Sequence, residues 1–249
     1  MEQFHRRDHG ALSLMTIFLD SAEPAVIEQF HSMGLIRGVT TNPNMILEQS
    51  NITSWGAYKN LASRLARIVS PLPVSVPVLG KDPIEMLSQG QELAELGENI
   101  VIKIAVHGPQ GGLENLKVVH ELSRTGAAIN VTAALTAEQG LLAALAGATY
   151  VSLFGSRLLE AGGNPVDHIR QLRAIFAHQR LTTAIIATSI RQQAQVTEWL
   201  GAGADFVTLR PMHMIEFNFH EATARTISRF LESSSLLAGT TKNSDTTNI

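Results

Sequence analysis

Residues 100–106 read Ile-Val-Ile-Lys-Ile-Ala-Val, an apolar run that holds one charged side chain, Lys103. Continuous runs of β-branched and apolar residues are typical of strands covered on both faces, as in a parallel sheet. A glycine-rich loop, Gly108-Pro109-Gln110-Gly111-Gly112, and a helical pattern over 111–126 follow the run. The stretch therefore predicts a strand–loop–helix unit with a basic side chain inside the strand.

The same unit recurs along most of the chain. Strand candidates lie at 16–20, 38–42, 73–79, 100–106, 127–133, 150–155, 183–189 and 206–210, and helical patterns at 22–34, 82–97, 111–126, 137–147, 165–180, 191–201 and 211–234. Asp82-Pro83 and Asn164-Pro165 open helices, and glycines close several of them. Eight strands, each followed by helix, predict an α/β fold and favour a closed (β/α)8 TIM barrel over an open doubly wound sheet. No Gly-x-Gly-x-x-Gly follows the first strand, which weakens the open alternative.

We predict one domain because a barrel commonly takes about 250 residues and this chain has 249. The barrel is expected over 15–234, with an extra helix at 53–70 after the second strand. Residues 1–14 are predicted to be an N-terminal extension. Residues 235–249, rich in Ser, Thr and Asn, are predicted to be a flexible tail.

Composition excludes several classes of function. Net charge is −3, which gives no basic field for nucleic acid, and no run of basic residues marks a membrane surface. No apolar run reaches the ~20 residues of a membrane span. Cysteine is absent, which excludes disulfides, thiolate metal sites and cysteine nucleophiles, and a cytoplasmic location is expected. Charged residues are only 16%, so we expect a well-covered fold or a homo-oligomer.

Barrel enzymes carry their chemistry at the carboxyl ends of the strands, so polar residues there are the candidates. Lys103 is the only one of five lysines that lies within a predicted strand. Burial lowers the pKa of a lysine amine and makes it nucleophilic, as Schiff-base chemistry requires. The alternative is a structural lysine that snorkels to water or pairs with Asp20.

Two arginines, Arg157 and Arg191, follow the sixth and seventh strands. With Ser189 and the turn Gly162-Gly163 they could bind a phosphate or another oxyanion through bidentate hydrogen bonds. The alternative is that they are surface arginines paired with acidic residues.

Several of these motifs, taken together and in order, resemble the transaldolase family, and most closely its small members, which include fructose-6-phosphate aldolase. The resemblance rests on Leu19-Asp20-Ser21, Gly38-Val39-Thr40-Thr41-Asn42-Pro43, Ile102-Lys103-Ile104, Asn130-Val131-Thr132-Ala133, Gln139-Gly140, Ala146-Gly147-Ala148, Arg157 and Ala187-Thr188-Ser189-Ile190-Arg191. It spans roughly residues 16–230.

The resemblance implies a class I enzyme that needs neither metal nor cofactor and acts on a small sugar phosphate. Lys103 would form the imine and Asp20 would handle the proton of the C4 hydroxyl. Asn42, with Thr41 beside it, would bind the dihydroxyacetone part, and Thr132 would help to hold a catalytic water. Arg157, Ser189 and Arg191 would hold the phosphate.

Two further positions divide transferase from aldolase within the family. Ser152 and Phe154 resemble the residues of transaldolases, whereas the small aldolase has alanine and tyrosine there. Phenylalanine cannot protonate an enamine, so the resemblance favours transfer to an acceptor aldehyde. Simple aldol cleavage that releases dihydroxyacetone stays the alternative.

The sequence also departs from the family pattern. Pro77 occupies the position of the usual Glu or Gln of the third strand, which favours a second alternative, a catalytically weak barrel that binds sugar phosphate. His107, close to Lys103 in sequence, is a candidate replacement acid or base, or else an exposed loop histidine. These departures indicate an unusual substrate, and a sulfonated ketose would suit the two arginines as well as a phosphate.

Overall fold

The computed structural model describes residues 16–50 and 52–242, which contain a closed barrel of eight parallel strands in chain order. The strands are β1 (Ile17–Asp20), β2 (Val39–Thr40), β3 (Val74–Pro77), β4 (Ile100–Ala105), β5 (Ala128–Ala134), β6 (Tyr150–Phe154), β7 (Ala184–Thr188) and β8 (Phe206–Leu209). Pairing of β1 with β8 closes the barrel. The prediction of a TIM barrel is confirmed, with every strand within two residues of its predicted limits.

Most helices begin and end close to the capping residues and glycines identified in the sequence. They are α1 (Pro24–Ser32), α2 (Pro43–Ser50), α3 (Trp55–Val69), α4 (Pro83–Ala94), α5 (Glu114–Ser123), α6 (Ala137–Leu145), α7 (Gly155–Glu160), α8 (Pro165–Gln179), α9 (Gln193–Ala202), α10 (Pro211–Asn218) and α11 (Glu221–Lys242). Asp82 and Asn164 accept hydrogen bonds from main-chain amides of α4 and α8, as their sequence positions predict. Helix α9 runs past Gly201 because Gly203 supplies the left-handed turn, with φ of 113°.

Two helices are absent from the sequence prediction, α2 and α7. Between β2 and β3 there are therefore two helices, with α3 matching the predicted helix 53–70. Helix α2 starts at Pro43, where the Asn42 side chain accepts a hydrogen bond from the amide of Met45. The pair Asn42-Pro43 is thus the same start signal as Asn164-Pro165.

An aromatic cluster fills the barrel at the amino ends of the strands. The rings of Phe18 and Phe206 are 4.7 Å apart, and Tyr150 contacts both edge-on. A side chain at Gly38 would bring its Cβ within 2.6 Å of the Phe18 ring, which explains the glycine. With this end filled by rings, the polar residues of the interior lie toward the carboxyl ends of the strands, here called the barrel mouth.

The chain divides into two compact units, the first ending at Pro211 and the second beginning at Met212. The second unit holds most of α10 and all of α11, with a break at Phe219 and His220 inside the predicted helix 211–234. Helix α11 reaches Lys242, eight residues past its predicted end. The remaining tail, 243–249, and the predicted extension 1–14 lie outside the described residues. No described helix is long and apolar enough to cross a membrane.

Candidate active site

Strand register determines which side chains face the inside of the barrel. Lys103 on β4 lies in register with Pro77 on β3 and with Asn130 on β5. Residues in register across parallel strands point to the same face, and side chains two apart on a strand share that face. A hydrogen bond across the interior, from the Asn130 amide to Ser75 Oγ at 3.1 Å, marks that face as the inner one. Lys103 therefore projects into the barrel.

The amine of Lys103 is buried and held in one direction. The residue is 7% exposed, and Nζ donates a hydrogen bond to the main-chain oxygen of Thr41 at 2.8 Å. Burial lowers the pKa of Lys103, and the negative charge of Asp20 opposes that shift only in part. Removal from water therefore favours the neutral, nucleophilic amine at this position.

Asp20, at the end of β1, is oriented by the neighbouring strand. Its Oδ1 accepts a hydrogen bond from Thr40 Oγ1 at 2.7 Å. Thr40 is in turn 2.6 Å from the hydroxyl of Thr208 on β8, so three strands fix the carboxylate. Thr40 lies directly before Thr41, and one short strand thus positions both Asp20 and Lys103.

A second polar chain crosses the interior through β3, β5 and β6. Asn130 donates to Ser75, and Ser152 Oγ donates to Asn130 Oδ1 at 2.8 Å. All three residues are fully buried. The hydroxyl of Ser152 has no exposed surface and already donates to Asn130, so a contact between Ser152 and substrate stays a prediction.

Thr41 and Asn42, expected to bind the dihydroxyacetone part, differ in burial and in which polar atoms are free to contact a ligand. Thr41 is fully buried, its hydroxyl donates to the Ser75 carbonyl, and its main-chain oxygen accepts the hydrogen bond from Lys103. Asn42 is half-buried, and its Oδ1 is used to cap α2. Its amide nitrogen makes no hydrogen bond within the described chain and is the part that a ligand could contact.

Thr132 lies on the inner face above Asn130. It is in register with Ala105, two residues beyond Lys103. Its buried hydroxyl has no hydrogen-bond partner among the described residues. Ala133, directly after it, has φ of 60°, a left-handed conformation that alanine seldom adopts, at an irregularity in the pairing of β5 with β6. An unpaired buried hydroxyl next to a strained residue is the arrangement expected where a water or ligand binds.

The two arginines converge on one carboxylate. Arg157 donates to Glu160 Oε2 at 3.0 Å, and Arg191 pairs with Glu160 Oε1. The hydrogen bond from Arg157, reinforced by Arg191, lowers the pKa of Glu160. The two guanidinium groups are half exposed and lie on one anion. The structure thus brings the two arginines together and pairs both with an acidic residue, as the alternative stated, whereas phosphate binding stays a prediction.

Phe154 and Ser189 come from neighbouring strands at the mouth. Phe154, half-buried, ends β6 in register with Thr188, the last residue of β7. Ser189 follows with φ of 62°, and Arg191 two residues later. These two substrate-binding candidates are therefore contributed by the end of β6 and by the loop after β7.

Pro77 and His107 complete the predicted set. Pro77 is buried beside Lys103, and its carbonyl oxygen accepts a hydrogen bond from Tyr58 at 2.7 Å. His107 is exposed in the loop after β4, with Nδ1 2.7 Å from the carbonyl oxygen of Gly108. The structure gives His107 no contact with Lys103 or Asp20, in keeping with the alternative of an exposed loop histidine.

With the fold and the surroundings of the buried Lys103 described, the chain can be compared with known families. Residues 17–247 match the family described as Transaldolase/Fructose-6-phosphate aldolase. This chain belongs to that family. Curated relatives agree: a probable transaldolase of Moorella thermoacetica is 38% identical over 217 residues, covering 87% of this chain and 96% of the relative. A probable transaldolase of Phenylobacterium zucineum is 36% identical, covering 87% and 95%.

A third curated relative and a solved structure are also similar to this chain. A probable transaldolase of Methanococcus vannielii is 36% identical, covering 87% of this chain and 96% of the relative. Among solved structures, a thiamine phosphate pyrophosphorylase from Pyrococcus furiosus aligns with a TM-score of 0.56 at 11% identity, over 80% of this chain and 86% of that one. That likeness concerns the fold alone.

Sequence reasoning missed the residues that act through others. Thr40, Thr208 and Ser75 belong to the hydrogen-bond chains that hold Asp20 and Asn130, and Glu160 pairs with both arginines. A signal was present for the first three, because each is a hydroxyl residue at an inward position of an otherwise apolar strand. Glu160 gave no signal, since acidic residues at helix ends are common on surfaces.

Proposed function

We propose that this member of the transaldolase family is a Schiff-base transaldolase that moves a dihydroxyacetone unit from an anionic ketose to an aldehyde acceptor. The observation that carries the proposal is the buried amine of Lys103, with a lowered pKa and a fixed direction. Burying a lysine amine in a barrel interior costs folding free energy, and such a cost is typical of an amine with a chemical role.

The first half of the reaction uses Lys103 and Asp20. The neutral amine attacks the ketone carbon, a C–N bond forms, and loss of water leaves an iminium ion. Asp20 takes the proton of the C4 hydroxyl, the C3–C4 bond breaks, and its electron pair moves into the iminium to give an enamine. An aldehyde leaves, and the dihydroxyacetone carbons stay bound to Lys103.

The second half runs in reverse with a new aldehyde. The enamine carbon attacks the aldehyde carbon, and Asp20 returns its proton to the new hydroxyl. Water then hydrolyses the imine, and the unpaired hydroxyl of Thr132 supports a role in holding that water. Phe154 offers no proton to the enamine, which favours its survival until an acceptor arrives.

Anion binding at the far end is proposed for Arg157, Arg191 and Ser189. Two guanidinium groups within reach of one carboxylate could equally share a phosphate or a sulfonate. The class of anion, phosphorylated or sulfonated, is what a ketose screen must decide.

Borohydride trapping tests the proposal. The enzyme is incubated with fructose 6-phosphate or with 6-deoxy-6-sulfofructose, reduced, and digested for mass spectrometry. We expect an adduct on the peptide that carries Lys103, lost in Lys103→Met and kept in Lys117→Met, an exposed control. The absence of an adduct with every ketose tried would overturn the enzymatic proposal and favour a barrel that only binds sugar phosphates, the reading motivated by Pro77.

Release of free dihydroxyacetone without an acceptor separates transferase from aldolase. Slow release, with rapid turnover when an aldehyde is added, is expected of a transaldolase. Release at the same rate with and without acceptor would instead establish the aldolase alternative.

A homo-oligomer is also proposed. Helix α11 carries Ile227, Phe230 and Leu231 at exposed positions three and four residues apart, a spacing that places them along one side of the helix. Light scattering of the purified chain should give a mass that is a multiple of 26.9 kDa, and a monomer at micromolar concentration would contradict the proposal. The cytoplasmic location stays a prediction from the absence of cysteine.

A further inference from the structure

Thr188 carries a buried hydroxyl that the proposed mechanism leaves unused. It is the last residue of β7 and lies in register with Phe154, while Ile186 lies in register with Ser152. Because Ser152 bonds to Asn130 inside the barrel, this register places the Thr188 side chain on the inner face at the mouth. Thr188 is 5% exposed, and its hydroxyl has no hydrogen-bond partner within the described chain.

The surroundings of Thr188 repeat those of Thr132. Each threonine has an unpaired buried hydroxyl, and each is followed by a left-handed residue, Ala133 with φ of 60° and Ser189 with φ of 62°. A buried hydroxyl without a partner and a strained neighbour both cost folding free energy. Two such arrangements on either side of β6 indicate two hydrogen-bonding positions reserved for a ligand.

The position of Thr188 along the barrel indicates which part of a ligand it meets. Lys103 on β4 would hold the carbonyl end, whereas Arg191, three residues after Thr188, would hold the anionic end. Thr188 therefore lies on the anionic side, where the aldehyde half of the substrate would sit. That half carries a hydroxyl on the carbon next to its aldehyde whenever the acceptor is a sugar-like hydroxyaldehyde.

We propose that Thr188 Oγ1 hydrogen-bonds to a hydroxyl group of the aldehyde acceptor and makes the enzyme selective for hydroxyaldehydes. The proposal rests on the transaldolase function given above. Thr188 is thus a specificity-determining residue, distinct from the groups that form and break covalent bonds.

Two acceptors and an isosteric variant test this directly. D-Glyceraldehyde 3-phosphate carries the hydroxyl, and 3-oxopropyl phosphate lacks it. We expect Thr188→Val to lower kcat/KM for glyceraldehyde 3-phosphate by about three- to tenfold and to leave that for 3-oxopropyl phosphate unchanged. Thr188→Ser, which keeps the hydroxyl, should retain the preference.

Thermal unfolding gives an independent test, because the variant that loses activity towards the hydroxyaldehyde should not lose stability. Valine removes a buried hydroxyl that lacks a partner, so Thr188→Val should unfold at the wild-type temperature or above it. Thr183→Val is the matched control, because Thr183 is also buried and donates to the Ala148 carbonyl at 2.8 Å. The control should unfold at a lower temperature than wild type.

Failure of this inference and failure of the proposed function are distinguishable. If the wild-type enzyme forms no borohydride adduct with any ketose, the proposed function itself is rejected. With the adduct intact, equal effects of Thr188→Val on both acceptors, no effect on either, or no transfer to glyceraldehyde 3-phosphate by the wild type would overturn the role of Thr188. A clear drop in unfolding temperature for Thr188→Val would overturn it as well, because the hydroxyl would then be structural.

Discussion

The amine of Lys103 donates a hydrogen bond to the main-chain oxygen of Thr41 at 2.8 Å. A carbonyl can only accept, so Nζ must keep one N–H directed at it in both the charged and the neutral state. In the neutral amine this fixes where the remaining hydrogens and the lone pair can point. Thr40, the preceding residue, orients Asp20 through its side-chain hydroxyl, so two consecutive residues hold the carboxylate and the nucleophile.

Stability should depend on pH through Lys103. Its pKa is lowered in the folded state, so between that value and the ordinary lysine pKa the unfolded chain binds more protons than the folded one. The free energy of unfolding therefore rises with pH across this window, by about 1.4 kcal/mol for each unit of lowering. Below the folded pKa both states are protonated and this rise is absent.

Urea unfolding of wild type and Lys103→Met at several pH values measures this effect. The variant lacks the titrating amine, so we expect the wild type to gain stability relative to it as pH increases. Differences that stay constant from pH 6 to 10 would mean that the amine is ionised normally in the folded protein.

Ser152→Ala should weaken the fold and spare the substrate. The change leaves the buried Oδ1 of Asn130 without its donor, which costs about 1–3 kcal/mol. KM for the ketose should stay close to the wild-type value, because Ser152 has no exposed surface. Ser88→Ala, on the exposed side of α4, is the control and should change stability by about 0.5 kcal/mol or less. A large rise in KM for Ser152→Ala would restore its expected contact with substrate.

Phe154→Tyr should shift the enzyme from transfer towards cleavage. A phenol at this position of β6 could protonate the enamine and release dihydroxyacetone before an acceptor binds. We expect faster release in the absence of aldehyde, measured with a coupled assay for dihydroxyacetone. Phe154→Leu, which adds no proton donor, should not accelerate release, and equal acceleration by both variants would point to a wider pocket instead.

Glu160→Gln should strengthen binding of anions. In the folded protein Glu160 occupies both Arg157 and Arg191, so an incoming phosphate must compete with it. Exposed ion pairs are worth about 0.2–1 kcal/mol, and the inhibition constant of inorganic phosphate should fall by up to about fivefold. Glu160→Asp, which keeps the charge, is the control. Weaker inhibition by phosphate in Glu160→Gln would show that the carboxylate positions the arginines rather than competes for them.

His107→Ala should leave the pH–rate profile unchanged. The ring is exposed and lies beside the carbonyl oxygen of its own neighbour, Gly108, away from the lysine it follows in sequence. Between pH 5.5 and 9, kcat/KM should rise and fall at the same pH values in His107→Ala as in the wild type. Loss of a limb near neutral pH would assign an acid or base role to His107 after all.

The fold followed from local patterns. Apolar runs, proline and asparagine at helix starts and glycine at helix ends are short-range signals, and they located all eight strands. Helices α2 and α7 were missed because each is only six to eight residues long and follows its strand without a separate apolar stripe. Asp20, Lys103 and Thr132 could also be chosen as candidates from the sequence, since a polar residue in an apolar strand is unusual.

The sequence by itself determined the barrel and the lysine on which the proposed chemistry depends, because the pattern that defines a strand lies within a few neighbouring residues. It also gave the family, through the resemblance of its motifs. Only the tertiary structure decided which side chains pair with each other. Arg157 and Arg191 both pair with Glu160, and Ser152 donates its hydrogen bond to Asn130. The hydroxyl of Thr188 has no partner among the described residues. Such pairings depend on the register between strands and on the path of the segments that follow the strands. Residues far apart in the chain fix both, so no local pattern contains them.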